Sequence, residues 1–418
     1  REVYEAMRAV GTIDAPDEEA RRASEHLMRE FERNGAALSE AKQRTLMEKL
    51  GEIESLCSSF CEALNEDATC VEYVEEELEG VDVGAYAEGD AKGTRRVRLI
   101  APDMMPVLQF AKRPETRRRM AEAKARQCQE LNTDRFLRVV ELRNECARML
   151  GYESHAEYML KPKMAGTPAR AEAFLRDLLV KAEGRLAEDL ADLQKLKDAE
   201  EGADAGTIQS WDVAYYSTKY KATLGVDEAK IREYFPLEHV KSEILSTYQN
   251  LLGLEFTRVD AEVWHEEVEC YSVRAADGDR RVLGFFYLDL FPRPGKYSHQ
   301  CVYPLRPSFT DGDDVTTAAC VNIGNLSKPG EDGAPALLRF REVETFFHEF
   351  GHVMHCVLSE SKYSVHAWAW SAVPWPGGVE QDFLEVPSMM LENFVWQPEV
   401  LRRLSKHHVT GERLGDDD

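Results

Sequence analysis

The sequence predicts a mainly α-helical protein with a small β-sheet set beside one motif-bearing helix. Three observations carry this. Apolar residues step by three and four through the first half of the chain. Short runs of strand-forming residues, bounded by turn signals, begin only near residue 280. A second helical pattern, over about 341–358, follows those runs directly. Taken in order, Leu46, Leu50, Ile53, Cys57, Phe60 and Leu64 make the stripe of an amphipathic helix and read as core. Pro114-Glu115-Thr116-Arg117 opens another helix, because proline lacks only an N–H that the first turn leaves unused. The segment 167–198, rich in Ala, Leu, Glu and Lys, reads as one long helix, and 202–206 as the loop after it. Residues 282–290 read as a strand, stopped by Phe291-Pro292-Arg293-Pro294-Gly295. Further strands are expected over 300–305 and 318–323, then a loop over 329–333. No internal repeat is evident. Three regions follow: a helical one over 1–135, a second helical one over 136–255, and a third over 256–418 that carries the motif.

Composition narrows the classes. With 418 residues, 43% hydrophobic and 31% charged, the chain is long enough for two or three domains and has the balance of a soluble globular protein. No run approaches the ~18–20 apolar residues of a membrane span, so no membrane partner is expected. A net charge of −24 argues against nucleic acid, since phosphate binding needs basic patches. It fits solubility, and the attraction of cationic peptides or metal ions. The nine cysteines are odd in number and scattered, which points to a reducing compartment rather than a disulfide framework. The chain opens Arg1-Glu2-Val3 and closes Gly415-Asp416-Asp417-Asp418, and neither end has the look of a natural terminus. A signal peptide ahead of Arg1 would be out of sight.

The most informative stretch is His348-Glu349-Phe350-Gly351-His352. Histidines at i and i+4 share one helix face, roughly 5–6 Å apart at Cβ, so both imidazoles can reach one metal ion. The intervening glutamate can hold a water against that metal. This is the H-E-x-x-H arrangement of zinc peptidases. A catalytic zinc site has three protein ligands and an open position for water. Downstream carboxylates are Glu360, Glu380, Asp382, Glu385, Glu392 and Glu399. Glu360 falls two turns past His352 and points away. Glu385 and Glu392, seven apart, share one helix face with Pro387 in the first turn. Either could be the ligand while the other supports a bound imidazole, and spacing does not choose between them. Glu349 would act as general base, taking a proton from water and passing it to the leaving amine. His355 reads as packing or support, and His366, His407 and His408 as ordinary surface or core histidines.

The motif lies in a longer pattern. Val343-Glu344-Thr345-Phe346-Phe347-His348-Glu349-Phe350-Gly351-His352-Val353-Met354-His355 resembles the zinc helix of the thimet oligopeptidase and neurolysin family. Phe286-Tyr287-Leu288-Asp289-Leu290 and Gly295-Lys296-Tyr297-Ser298-His299 resemble the family's strand and loop ahead of the site. Trp211-Asp212, Tyr215-Tyr216 and Glu233-Tyr234-Phe235-Pro236 resemble its middle region. Pro114-Glu115-Thr116-Arg117-Arg118 and Leu64-Asn65-Glu66-Asp67 resemble its helical N-terminal half. Asp382-Phe383-Leu384-Glu385-Val386-Pro387-Ser388, then Met390-Leu391-Glu392-Asn393, resembles the segment that bears the family's glutamate ligand. The resemblance runs over nearly all 418 residues.

It implies one Zn2+ per chain, held by His348, His352 and Glu385, with Glu349 as the catalytic base and Glu392 behind an imidazole. It implies two helical lobes flanking a deep channel that admits short peptides and excludes folded proteins. A monomeric metalloendopeptidase of the cytosol is expected, with an organelle as the alternative compartment. Rival readings are an organellar processing peptidase, a dipeptidyl carboxypeptidase of the same family, and a non-catalytic peptide-binding protein. The intact Glu349 argues against the last, because zinc binding alone does not need it. Two departures stand out. The segment 368–378 makes the connection to Glu385 about eight residues longer than usual, which a loop can accommodate at small entropic cost. Family members also extend beyond both ends of this chain, and their substrate-binding histidine and tyrosines are expected past Asp418. One lost oxyanion donor typically costs ~10²–10³ in rate, so the chain by itself is expected to cleave peptides poorly.

Overall fold

Two helices open the chain: α1 (Glu2–Val10) and α2 (Glu18–Arg33), the latter capped by the Asp17 carboxylate, which accepts from the Ala20 N–H at 2.7 Å. The computed structural model describes residues 2–10, 15–202, 204–225, 227–277, 281–293, 295–297, 299–312, 314–330, 333–367 and 378–415. The lengthened connection expected at 368–378 therefore lies outside the described residues, Gly378 excepted. The fold is mainly helical with small sheets, as the sequence predicts. It divides into two compact units. One comprises Leu38–Lys161 and Ala165–Val226; the other comprises Arg1–Ala37, Pro162–Met164 and Asp227–Asp418.

The first of these units begins with α3 (Glu40–Asn65). A three-stranded antiparallel sheet follows: β1 (Cys70–Val74), β2 (Ala87–Glu88) and β3 (Thr94–Arg98), in the order β1-β3-β2. Then come α4 (Ala101–Phe110), α5 (Pro114–Ala125), α6 (Gln129–Met149), α7 (His155–Leu160), α8 (Pro168–Glu201) and α9 (Ser210–Thr223). Helix α5 starts at Pro114, as expected, and α8 runs three residues beyond the predicted end. It stops at Gly202, whose φ of 90° lies where a side chain would be strained. The stripe on α3 departs from its reading as core. Leu46 is buried, but Leu50 and Leu64 are 42% and 37% exposed. The reason is that α3 packs chiefly along a single helix, α6, whose Asn132 and Arg135 side chains donate to the Phe60 and Ser59 carbonyls at 3.2 and 3.0 Å. A seam against one helix shields one edge of a stripe only.

A buried charge cluster ties this unit together. Arg117 on α5 is fully buried and donates to Asp212 on α9 at 2.7 Å, and to the Ala111 and Lys112 carbonyls at 2.9 Å each. Lys197 on α8 donates to the other Asp212 oxygen at 2.8 Å. The Arg117 guanidinium also lies 4.1 Å over the Tyr215 ring. Burial pushes the Asp212 carboxyl up, but its bonds to Lys197 and Arg117 outweigh that and hold it below the usual carboxylate range.

The second unit continues with α10 (Glu228–Ile231) and α11 (Leu237–Leu252), then β4 (Leu254–Val259), β5 (Glu269–Ala275), β6 (Val282–Asp289) and β7 (Cys301–Arg306). A small hairpin, β8 (Phe309–Asp311) with β9 (Asp314–Thr316), leads into β10 (Ala318–Ile323). Helices α12 (Phe340–Leu358), α13 (Glu385–Glu392) and α14 (Pro398–Leu404) complete it. The sheet order is β4-β5-β6-β10-β7, parallel only between β6 and β10. The three predicted strands are β6, β7 and β10. The sheet nevertheless begins 26 residues before residue 280, at Leu254. Glu255, Arg258, Glu269 and Arg274 interrupt the apolar pattern of β4 and β5, which hides them in the sequence. Helix α12 covers the sheet. Its Phe350 meets Phe286 of β6 at 5.2 Å, Phe256 of β4 at 5.8 Å and Tyr248 of α11 at 4.9 Å between ring centres. Phe350, Phe286 and Tyr248 are fully buried, so the helix carrying the motif is clamped by aromatic packing on its rear face. Among the described residues no helix is long and apolar enough to cross a membrane.

Candidate metal centre

Helix α12 starts where Glu342 reaches back to the Arg339 N–H at 2.7 Å, satisfying one of the donors a helix N-terminus leaves open. Val343, Phe346, Phe347, Phe350, Val353 and Val357 are buried against the unit's core. That apolar packing turns the other side, with His348, Gly351, His352 and His355, toward α13. The two motif imidazoles stand nearly perpendicular, 80° apart, with ring centres 5.0 Å from each other.

Helix α13 begins at Glu385, after a turn in which the Phe383 and Leu384 N–H groups both bond the Glu380 carbonyl. Glu385 Oε2 lies 3.1 Å from His352 Nε2 and 3.3 Å from His348 Nε2. All three ligand atoms fall within 4.8 Å of one another, the only such cluster of His, Cys, Asp or Glu among the described residues. A tetrahedral ion with ligands at ~2.0–2.1 Å has donor–donor edges of about 3.3 Å, which matches both carboxylate–imidazole separations. Two imidazole nitrogens and one carboxylate oxygen could hold a metal ion here and leave a fourth position open.

The surroundings orient these donors. His348 Nδ1 meets Glu392 Oε2 at 2.6 Å, which turns Nε2 inward. Ser388 donates to Glu385 Oε2 at 3.0 Å. Burial pulls the His352 and His355 pKa values below the ordinary histidine value, which favours their neutral form. Glu349 is only 8% exposed. Burial pushes its carboxyl up to about 7, helped by the Glu385 charge and opposed by His348 and by the Val302 N–H of β7, which donates to it. The edge strand and the motif glutamate therefore meet.

The structure thus brings together His348, Glu349, His352 and Glu385, with Glu392 behind His348. It leaves the remaining candidates elsewhere. Glu360 pairs with Arg281 at 2.6 Å, Asp382 accepts from the Met164 N–H at 2.9 Å, and Glu399 is exposed. His355 packs edge-on to Phe383, His366 to His26, and His407 bonds Glu233 with His408 stacked on it. Three participants were not singled out from the sequence: Gly351, Ser388 and the Val302 amide. Gly351 carried a signal, since a glycine inside a helical pattern costs ~1 kcal/mol against alanine and calls for a packing reason. The other two depend on contacts between distant elements.

A helix bearing two histidines and a buried glutamate, faced by a carboxylate from a second helix, defines a helical protein with a side-chain group that could hold a metal ion. The comparison with known sequences is narrower. The profile of peptidase family M3 matches residues 107–417, and the chain belongs to that family. It is 33% identical over 394 residues to the thimet-like oligopeptidase of Dictyostelium discoideum, covering 90% of this chain and 57% of the relative. Saccharolysin of Saccharomyces cerevisiae is 32% identical, covering 96% and 58%. Oligopeptidase A of Escherichia coli is 30% identical, covering 94% and 59%. The chain thus spans somewhat over half the length of each of these relatives.

Proposed function

We propose that this chain carries the metal site of a zinc-dependent oligopeptidase that hydrolyses peptide bonds in short peptides. What supports the reading above all is the convergence of His348 Nε2, His352 Nε2 and Glu385 Oε2 within 4.8 Å, beside the buried Glu349. Bound there, zinc would polarise a peptide carbonyl and a water, and would favour the ionised form of Glu349. Glu349, ionised, would accept the water's proton and return it to the leaving amine. Glu385 and the two imidazoles hold the ion, and Glu392 keeps the His348 ring turned inward. Strand β7 lies at the sheet edge, with one of its amides on Glu349, so an extended peptide added along that edge would run past the base. The relatives' names, thimet-like oligopeptidase and oligopeptidase A, agree with a short-peptide substrate. A monomer acting in the cytosol completes the reading.

The test is a pair of variants assayed for zinc by elemental analysis and for hydrolysis of a quenched fluorescent peptide. Glu349→Gln should keep one zinc per chain and lose whatever cleavage the wild type shows. His348→Ala should lose the zinc. Zinc content unchanged in His348→Ala, or cleavage unchanged in Glu349→Gln, overturns the assignment of that residue.

A further inference from the structure

Gly351 sits in the middle of α12 with ordinary helical backbone angles, where alanine would make the stronger helix. No backbone conformation there requires glycine. Space does. A Cβ built on Gly351 would lie 2.8 Å from the Ser388 Cα, and 3.5 Å from both the Pro387 carbonyl oxygen and the Ser388 Cβ. The first of these neighbours is main chain, so it cannot swing aside as a flexible side chain would. At this point α13 lies directly on α12, between the two histidines in sequence and on their face of the helix.

Ser388 is the other half of the contact. It is fully buried, so no water can take over its role. Its hydroxyl is 3.0 Å from the Glu385 carbonyl and 3.0 Å from Glu385 Oε2, the same oxygen that faces both imidazoles. The close approach at Gly351 sets how far α13 stands from α12. The Ser388 hydroxyl sets where the Glu385 carboxylate points. Together they determine whether the third donor reaches the histidine pair.

We propose that the Gly351–Ser388 contact is the positioning device for the third metal ligand, and that metal affinity depends on it. The inference rests on the zinc reading of the site. It makes Gly351 and Ser388 positioning residues, since neither would touch the ion.

The experiment measures the zinc dissociation constant of the purified chain by chelator competition, and the visible absorption of its Co2+ form as a report on coordination geometry. Circular dichroism of the metal-free protein reports the fold. Gly351→Ala should weaken zinc binding by about 10- to 100-fold, the range seen when groups behind metal ligands are altered. Its Co2+ bands should shift and lose intensity as the donor set opens, while the metal-free fold persists. Ser388→Ala adds no bulk and should weaken zinc by about 10-fold. Gly51→Ala is the control, because Gly51 is also helical but has nothing within 4 Å of its Cβ position, and it should leave zinc binding unchanged. Wild-type affinity and an unchanged Co2+ spectrum in Gly351→Ala and Ser388→Ala overturn the proposal. If Gly351→Ala does not fold, Ser388→Ala decides alone, and unchanged affinity there overturns it. A wild-type chain that binds no zinc removes the metal reading and this inference with it. Zinc bound equally by wild type and variants removes the inference only.

Discussion

Replacing Glu392 by glutamine separates the two carboxylates that sequence spacing left equivalent. Glu392 Oε2 is 2.6 Å from His348 Nδ1, on the ring edge away from Glu385, so it supports the imidazole rather than sharing its inward nitrogen. The side chains of His348 and Glu392 are 21% and 26% exposed, sheltered enough for the bond to count. A hydrogen bond to an ionised group contributes ~1.5–3 kcal/mol and is about twice as strong as a neutral one. Glutamine keeps an acceptor oxygen but loses the charge, so roughly half of that contribution goes. A loss of about 0.8–1.5 kcal/mol corresponds to roughly 4- to 12-fold weaker zinc binding, at 1.4 kcal/mol per decade. Glu385→Gln removes the charge from an oxygen that would face the metal itself and should cost more. Chelator competition on the wild type and both variants gives the ordering directly. If Glu392→Gln weakens zinc as much as Glu385→Gln, or more, the roles argued from these distances are wrong.

Other perturbations address the scaffold. Arg117→Met takes from Asp212 one of its two buried cations, leaving Lys197, and strips two carbonyls of their donor; removing one partner of a buried pair costs ~3–5 kcal/mol. At ~2–4 °C per kcal/mol for a unit of this size, melting should fall by about 6–20 °C, and a change below ~2 °C would contradict the keystone role. Tyr248→Phe removes the fully buried hydroxyl that donates to the Phe347 carbonyl at 2.7 Å, and should lower stability by ~0.5–1.5 kcal/mol in a urea titration. Asp289 supplies an acid-sensitive element. Burial raises its pKa, but bonds from Arg293, Lys296 and Trp264 outweigh that and lower it below the ordinary 3.8. Its stabilisation is present above that value and is lost as pH falls through the lower folded pKa. Wild type should therefore lose more stability than Asp289→Asn between pH 6 and pH 3 in urea midpoints. An equal loss in both would refute the assignment.

What could be read in advance follows the range of the physics involved. The i, i+4 histidines share a face by helix geometry alone, so His348 and His352 were legible as a pair without any partner in view. Strands β6, β7 and β10 were legible because their apolar runs are bounded by proline and glycine. Strands β4 and β5 were not, because charged residues break their apolar pattern. Glu385 and Glu392 share a helix face, and only the distance between α12 and α13 separates them. No periodicity encodes that distance. The same holds for Arg117 and Asp212, 95 positions apart in sequence yet 2.7 Å apart in space.

Gly351 shows where local and long-range information meet. Its presence inside α12 opposes helix propensity, and that conflict is visible in the sequence. Its resolution is not, because the cost is offset by letting a second helix lie against the first. A local residue choice that works against its own element marks a place where a distant element sets the terms. In this chain that place is one residue from His352 and three from His348. The conflict in the sequence thus points at the contact through which Glu385 is brought to the histidine pair.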